Sequence, residues 1–191
     1  DIQMLPRLEG TVHVNMILIM RFMQNYFFKP DSSLPLIPKS QNPGDDTFLF
    51  NQGATTKGFE KIMFHDYKIA YNSYNLPNIK IFSEQIEVFK ELLEKASPDK
   101  DQRNDLDFML TMGELFTLVA YGQLIIEEAK ISNTDEGLLD QIFDFMIRDF
   151  SKFATQLYSK PGSTKEQQDY TVKMLKKPVL NQQRFDKIYG T

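Results

Sequence analysis

The sequence predicts an all-α fold, in which one helix and a long linker precede a helical bundle. Apolar residues recur at helical spacing in several segments after Lys57, and few runs alternate as strands do. Four prolines from Pro30 to Pro43 interrupt this pattern within a stretch rich in Ser, Asn, Gly and Asp. Of the 191 residues, 41% are hydrophobic and 25% are charged, which is enough apolar material for a packed core.

Residues 10–28 are predicted to form the first helix, with Thr11 as its N-cap residue. Val14, Ile17 and Leu18 lie on successive turns, and apolar residues cover the other faces as well. A helix that is apolar nearly all round is usually buried between neighbours. We therefore expect this helix to pack between other elements, some of them outside this chain.

Residues 31–56 have the composition of a linker, and a connection of this length without regular structure indicates a boundary between packed units. The chain is therefore divided into a terminal turn and helix at 1–30, the linker at 31–56, and a bundle at 57–191. Its opening residues, from Asp1 to Pro6, lack an initiator Met and a charged-then-apolar leader. We expect the chain to be a piece of a larger protein.

The bundle is predicted from apolar stripes and from capping signals. The helix that begins at Ser163 shows capping-box spacing to Glu166 and ends before Pro178. The stripe of the helix at 136–159 is expected to face the core throughout. Apolar stripes at helical spacing are present in four segments, which are 57–67, the segment after Pro77 that ends at Ser97-Pro98, 105–131 and 136–159.

The most apolar stretch runs from Leu115 to Ile126 and needs to be distinguished from a membrane span. Glu114 and Glu127 bracket these residues, and a spanning helix needs about 20 apolar residues in a row. The stretch is therefore interpreted as the core helix of a bundle. The acidic balance and the absence of a basic amphipathic stripe also argue against binding to a membrane surface.

Charge and residue usage exclude several kinds of site. The net charge of −4 and the scattered lysines argue against a nucleic-acid partner. The absence of cysteine excludes disulfides and thiolate metal sites, and it fits a reducing compartment, so we expect a cytoplasmic protein. The only histidines are His13 and His65, too few for a multi-histidine metal site within one chain, and no metal is expected.

The sharpest chemical feature is a carboxylate in a turn just before the first helix. Glu9 precedes Gly10 and Thr11, so its carboxylate has the N-terminal amides of that helix nearby. The helix dipole favours the ionised form of Glu9, whereas burial would raise its pKa towards that of a working base. Spacing alone leaves two interpretations open, a general base and a glutamate that only interacts with a helix start.

The segment 8–15, which reads Leu-Glu-Gly-Thr-Val-His-Val-Asn, resembles the segment near the end of the acyl-CoA dehydrogenase domain, where Glu-Gly-Thr precedes an apolar helix. Val14 matches the family's Ile, whereas Leu8 replaces the usual residue before Glu and Asn15 stands where Gln is common. Segments 113–124 and 148–161 also look like the C-terminal helical extension of a divergent branch. The resemblance spans most of the chain, although only its Glu-Gly-Thr part is tied to chemistry.

The resemblance implies a catalytic role for this turn in the parent protein, an FAD-dependent enzyme that oxidises acyl-CoA to enoyl-CoA. By resemblance, Glu9 is the base that removes the α proton, and amides around Gly10 help to polarise the thioester oxygen of the substrate. Thr11, His13 and Asn15 would lie against the FAD. The remainder of the dehydrogenase chain and the acyl-CoA are implied partners, a homo-oligomer is expected, and an electron-transfer flavoprotein is a further candidate. The chain alone would not retain FAD or turn over.

Alternatives remain beside this interpretation. Residues 57–191 could instead form an oligomerisation or partner-docking module, with Glu9 only at a helix start. His65 and Asp66 are adjacent and point apart on a helix, which favours a structural role for His65. Glu114 is expected to pair with a basic residue such as Arg148 or to hydrogen-bond across the bundle. A carboxylate-bridged di-iron site would need Glu-x-x-His spacing, which neither histidine provides.

Overall fold

The computed structural model describes residues 11–33 and 62–190, and 74% of these residues are helical, with no strand among them. The all-α prediction is thus confirmed for the part of the chain that the structure describes. Of the predicted linker at 31–56, residues 34–56 lie outside the described residues. The helices are α1 Val12–Met20, α2 Met23–Phe28, α3 Tyr67–Tyr71, α4 Pro77–Lys95, α5 Lys100–Asn104, α6 Leu106–Ser132, α7 Glu136–Ser159, α8 Lys165–Met174 and α9 Gln182–Tyr189.

The core forms around α6, which packs against α1, α3, α5 and α7, while α4, α7 and α8 pack against one another. Aromatic rings fill the centre and meet mainly edge to face, as Phe82 does with Phe143 at 5.4 Å and with Phe150 at 5.5 Å. The sixteen phenylalanines of the sequence are thus a major source of core volume. The largest fully buried aromatic side chains are Phe27, Phe82, Phe89, Phe108, Phe116, Phe143 and Phe150.

Helix α6 also satisfies the length and composition of a membrane-spanning helix, and it is the one helix of the described residues that does so. Within its most apolar window, 44% of the residues are buried inside the bundle. The core helix of a bundle satisfies the same criterion, and α6 makes the packing contacts of such a helix. The boundaries predicted at 105–131 agree with the observed helix within one residue.

The single helix predicted at 10–28 is two helices. Its first part ends at Met20 because the amides of Arg21 and Phe22 bond the carbonyls of Leu18 and Ile19, three residues back, which tightens the last turn. Helix α2 then starts at Met23, and the ring of Phe22 contacts Phe64 edge to face at 5.9 Å. Neither proline nor glycine lies at the break, so nothing in the sequence marked it.

The helix predicted from Lys57 onward is wrong for residues 62–66, and residues 57–61 lie outside the described residues. Phe64 forms a parallel bridge with Pro30, and its carbonyl accepts from the amide of Asp31 at 2.9 Å. Asn25 donates to the carbonyl of Ile62 at 2.8 Å. These contacts satisfy the backbone without a helix, and α3 begins only after Asp66, whose side chain caps it.

The capping box of α8 lies one residue later than predicted. Thr164, not Ser163, is the N-cap residue, and Gln167, not Glu166, returns the reciprocal bond. The reason is tertiary, because Gln167 is buried and exchanges two amide hydrogen bonds with Gln102, at 2.8 and 2.9 Å. Gln102 itself closes the capping box of α5, so these two helix starts are joined through their N3 side chains.

The prediction that the α7 stripe faces the core holds for most of its members. Leu139, Phe143, Phe150 and Leu157 are fully buried. Leu138 is the exception, with 39% of its surface exposed, because it lies at the edge of a groove between α6 and α7.

Candidate functional site

Of the residues selected from the sequence, Thr11, His13 and Asn15 lie at the start of α1. Glu9 and Gly10 lie outside the described residues. Thr11 is the N-cap residue of α1, as predicted, with an extended backbone and a hydroxyl that accepts a long hydrogen bond of 3.4 Å from the amide of Val14. The positive end of the helix dipole and the amides of the first turn thus lie at the end of α1 that Thr11 caps.

His13 and Asn15 follow within the first turn and a half of α1. His13 is exposed and lines a cavity of about 370 Å³, whereas Asn15 is half-buried and is not among the described residues that line it. The structure therefore brings one of the predicted cofactor-contacting side chains into a concave site. The other polar side chains of this cavity come from distant parts of the sequence.

Three helices build this cavity, which we call the His13 cavity. Helix α1 contributes His13 and Met16. Helix α6 contributes Asp107, Leu110, Thr111 and Glu114, and the end of α7 contributes Gln156, Ser159 and Lys160. This grouping was not predicted from the sequence. On α6, Asp107, Thr111 and Glu114 recur at helical spacing on one face, and on α7 Gln156 and Lys160 are four residues apart. A polar stripe on each of two neighbouring helices is a signal that could have indicated it.

The His13 cavity contains an ion pair and a glutamate whose pKa is raised. Lys160 forms a close ion pair with Asp107, and the Lys160 side chain is 17% exposed whereas that of Asp107 is 75% exposed. Burial raises the pKa of Glu114, while Lys152, Lys160 and His13 act in the opposite direction. A glutamate with a raised pKa near an imidazole can exchange a proton with a bound molecule, which is the chemistry that this arrangement offers.

The prediction that Glu114 pairs with Arg148 is wrong. Arg148 instead forms an ion pair with Asp144, one helical turn away on α7, at 2.7 Å. Arg148 therefore lies in a different network, while the positive groups acting on Glu114 are Lys152, Lys160 and His13.

The second histidine is beside a capping residue. Asp66 uses its carboxylate to accept from the amide of Lys68 at 3.0 Å, at the start of α3. His65 is half-buried in the extended segment before that helix. His65 therefore does not lie on the predicted helix, and its structural role stays a prediction.

A buried ionic network holds the C-terminal helix α9 against α7. Arg184 forms a close ion pair with Asp140 and donates to Gln141 at 3.1 Å, and both acceptors are buried. Asp140 also accepts from the backbone amide of Asn78 at 2.9 Å, at the start of α4. Burial raises the pKa of Asp140, against the opposing effects of Asn78 and Arg184. Every part of this network bonds another part of the bundle, so its role is structural.

Comparisons with protein-family models, with curated proteins and with solved structures found no match. The resemblance to acyl-CoA dehydrogenases therefore depends on the residues of the motif and of the two extension segments.

The described residues also limit where a metal or FAD would fit. They contain no group of three or more His, Asp or Glu side chains able to hold a metal ion. The His13 cavity presents the carboxyl groups of Asp107 and Glu114, which do not suit the anionic pyrophosphate of FAD. Among the described residues, the exposed side of α1, with Thr11, His13 and Val14, carries no acidic residue.

Proposed function

We propose that this chain is the C-terminal part of an acyl-CoA dehydrogenase-like flavoenzyme. The observation that supports this proposal most directly is the exposed apolar surface of α1, where Val14 is 58%, Ile17 39% and Leu18 38% exposed. Met20, at the end of the same helix, is buried, and α1 packs on α6. A helix with apolar residues on both sides is typical of one that packs between two bodies. The remainder of the dehydrogenase domain would cover the outer side.

In the proposed enzyme, Glu9 removes the proton α to the thioester carbonyl. The N-terminal end of α1, capped by Thr11, stabilises negative charge in the turn that carries Glu9. Amides around Gly10 polarise the thioester oxygen, and Thr11, His13 and Asn15 approach the flavin. FAD, when bound, would accept the hydride from the β carbon.

The deciding experiment is made on the full-length parent enzyme, with acyl-CoA-dependent reduction of the flavin as the readout. Glu9→Gln is expected to slow flavin reduction by roughly 10²–10⁴-fold, as is usual when a general base is removed. The matched control is Glu94→Gln, because Glu94 is an exposed glutamate on α4. Flavin reduction at the wild-type rate in Glu9→Gln would exclude Glu9 as the base.

The 191-residue chain provides a second test. Because the proposal assigns most of the flavin and acyl-CoA pocket to other parts of the parent, we expect the chain alone to be purified without bound FAD and to be inactive. A yellow preparation with stoichiometric FAD would contradict that expectation.

A second candidate function, a helical docking or oligomerisation module, is favoured by a different surface. A groove of about 450 Å³ runs between α6 and α7, and the exposed fractions of its apolar lining residues include 58% for Tyr121, 61% for Leu124 and 39% for Leu138. Exposed apolar patches of this kind mark interaction sites. Homo-oligomerisation and docking of an electron-transfer flavoprotein, in a cytoplasmic setting, are the partner proposals for this surface.

Sedimentation of the 191-residue chain tests the oligomer arm of this second candidate. Leu124→Lys is expected to convert an oligomer to monomer, whereas Leu180→Lys, at a residue 75% exposed near the C-terminus, should leave the mass unchanged. A wild-type chain that is monomeric at all concentrations would remove that arm.

A further inference from the structure

Another concave surface lies at the other end of α1 and has two arginines in its lining. We call it the Arg21–Arg103 cavity, and its volume is about 360 Å³. Its polar lining consists of Arg21, Arg103 and Asn104, with no carboxylate among its described lining residues. The apolar lining comes from α1, α2 and α6 and consists of Ile17, Met20, Met23, Leu106 and Met109.

Two acidic residues near Arg103 in sequence, Asp99 and Asp105, use their carboxylates to cap helices. The carboxylate of Asp99 accepts from the amides of Asp101 and Gln102, both at 2.9 Å. The carboxylate of Asp105 accepts from the amides of Asp107 and Phe108 at the start of α6. Each of these carboxylates caps a helix, which reduces its availability to neutralise the guanidinium of Arg103.

Arg103 is oriented by a bond of its own. Its Nε donates to the carbonyl of Asp99 at 3.2 Å, which fixes the direction of the side chain and leaves the two terminal nitrogens of the planar guanidinium to bind a further acceptor. Arg21, at the end of α1, is exposed and brings a second positive charge to the same cavity.

The apolar part of the cavity is adaptable. Met20 and Met23 are buried and Met109 is half-buried, so three flexible thioether side chains form its inner surface. Methionine surfaces adapt to apolar ligands of different shape. The exposed side chains of Ile17 and Leu106 lie at the rim, where a chain would enter.

We propose that the Arg21–Arg103 cavity binds a small anionic amphiphile, a single apolar chain with a carboxylate head group. The carboxylate would bind Arg21 and Arg103, and the chain would lie on the methionines. The cavity volume of about 360 Å³ lies within the range of about 300–1,000 Å³ that is usual for small-molecule sites. A peptide helix is about 10–12 Å across with its side chains and would be too wide for this cavity. This proposal does not depend on the proposed dehydrogenase function, because it is tested on the 191-residue chain, in which Ile17 is exposed.

The test is a titration of the 191-residue chain with decanoate, followed by NMR of its ¹³C-labelled methionine methyl groups. The methyl signals of Met20, Met23 and Met109 are expected to shift. Those of Met112, Met146 and Met174, which are buried away from the cavity, should not. Decanol, which has the same chain without the charge, should bind at least about tenfold more weakly, since a charge-assisted hydrogen bond is lost.

Variants identify the head-group site. Arg21→Gln and Arg103→Gln are each expected to weaken decanoate binding about tenfold. Arg148→Gln, an exposed arginine on α7, is the matched control and should leave binding unchanged. The unshifted methyl signals report that each variant is folded.

Three results would overturn the proposal. They are an absence of shifts at the three cavity methyls, equal affinity for decanoate and decanol, and decanoate affinity that neither arginine substitution changes. Shifts produced at those methyls by an acidic amphipathic peptide but not by decanoate would also overturn it, in favour of a peptide site.

Discussion

Gly122 on α6 is the position where a single added methyl group should be felt most strongly. The hydroxyl of Tyr71, on α3, donates to the carbonyl of Val119 at 2.7 Å within the core. A Cβ at residue 122 would overlap that hydroxyl oxygen and would lie 3.1 Å from Met146 Cε and 3.2 Å from Phe82 Cε1. Tyr71 lies on α3 and its hydroxyl bonds α6. The added methyl group of Gly122→Ala should therefore push this hydroxyl away from the carbonyl of Val119.

The expected magnitude follows from three opposing contributions. Overpacking a core costs about 1–3 kcal/mol. Separating a buried hydroxyl from its acceptor costs about 1–3 kcal/mol. Alanine regains about 1 kcal/mol of helix propensity over glycine. We therefore expect Gly122→Ala to lower the free energy of unfolding by about 3 kcal/mol, which corresponds to a fall in Tm of roughly 6–12 °C for a chain of this size.

Urea and thermal unfolding, followed by circular dichroism, measure this effect. Gly162→Ala is the control, because no atom lies within 4 Å of a Cβ there and its effect should stay within about 0.5 kcal/mol. Tyr71→Phe removes the oxygen that the new methyl meets, so the Gly122→Ala/Tyr71→Phe double variant should be more stable than the sum of the two single effects. Equal stability of Gly122→Ala and Gly162→Ala, or additivity in the double variant, would refute the reasoning.

Two further predictions concern the buried charges. Arg184→Gln leaves the buried carboxylate of Asp140 without its cation, so we expect a loss of about 3–5 kcal/mol, seen as faster hydrogen exchange in α9 than in α6. Lys187→Gln breaks only the exposed pair with Asp135 and should leave the exchange of α9 close to that of the wild type. Similar rates of hydrogen exchange in α9 of the two variants would contradict a stabilising role for Arg184. Because burial raises the pKa of Glu114, the folded state binds more protons than the unfolded state between the ordinary and the raised pKa, and this contribution to stability is lost as pH rises through that window. Glu114→Gln should therefore be more stable relative to wild type at about pH 7 than at about pH 4, and a pH-independent difference in unfolding free energy would count against it.

The long helices could be predicted from sequence because their signals are local. Helices α6 and α7 begin at capping aspartates, Asp105 and Asp135, and their predicted boundaries agree with the structure within one residue. The predicted Thr11 cap is also present. Glu9 and Gly10, which carry the proposed chemistry, stay predictions because they lie outside the described residues.

The errors share one cause, which is the satisfaction of local groups by distant partners. Residues 62–66 have apolar spacing compatible with a helix, yet Phe64 bonds the chain near Pro30 and stays extended. Ser163 and Glu166 have the spacing of a capping box, yet Gln167 closes it from one residue later because its amide pairs with Gln102 of α5. Local spacing cannot show which of two adjacent caps has a tertiary partner.

The sequence by itself determined the helical class and the long core helices, because helical periodicity and caps depend on neighbouring residues, and it supplied the motif whose chemistry is proposed. Only the tertiary structure decided which side chains share a cavity. His13 meets Glu114 and Lys160 across three helices, and Arg21 meets Arg103 at the far end of α1, since helix packing joins residues that are far apart in the chain. Helical periodicity can be read from the order of the residues, whereas the proximity of two helices depends on how their apolar faces pack together.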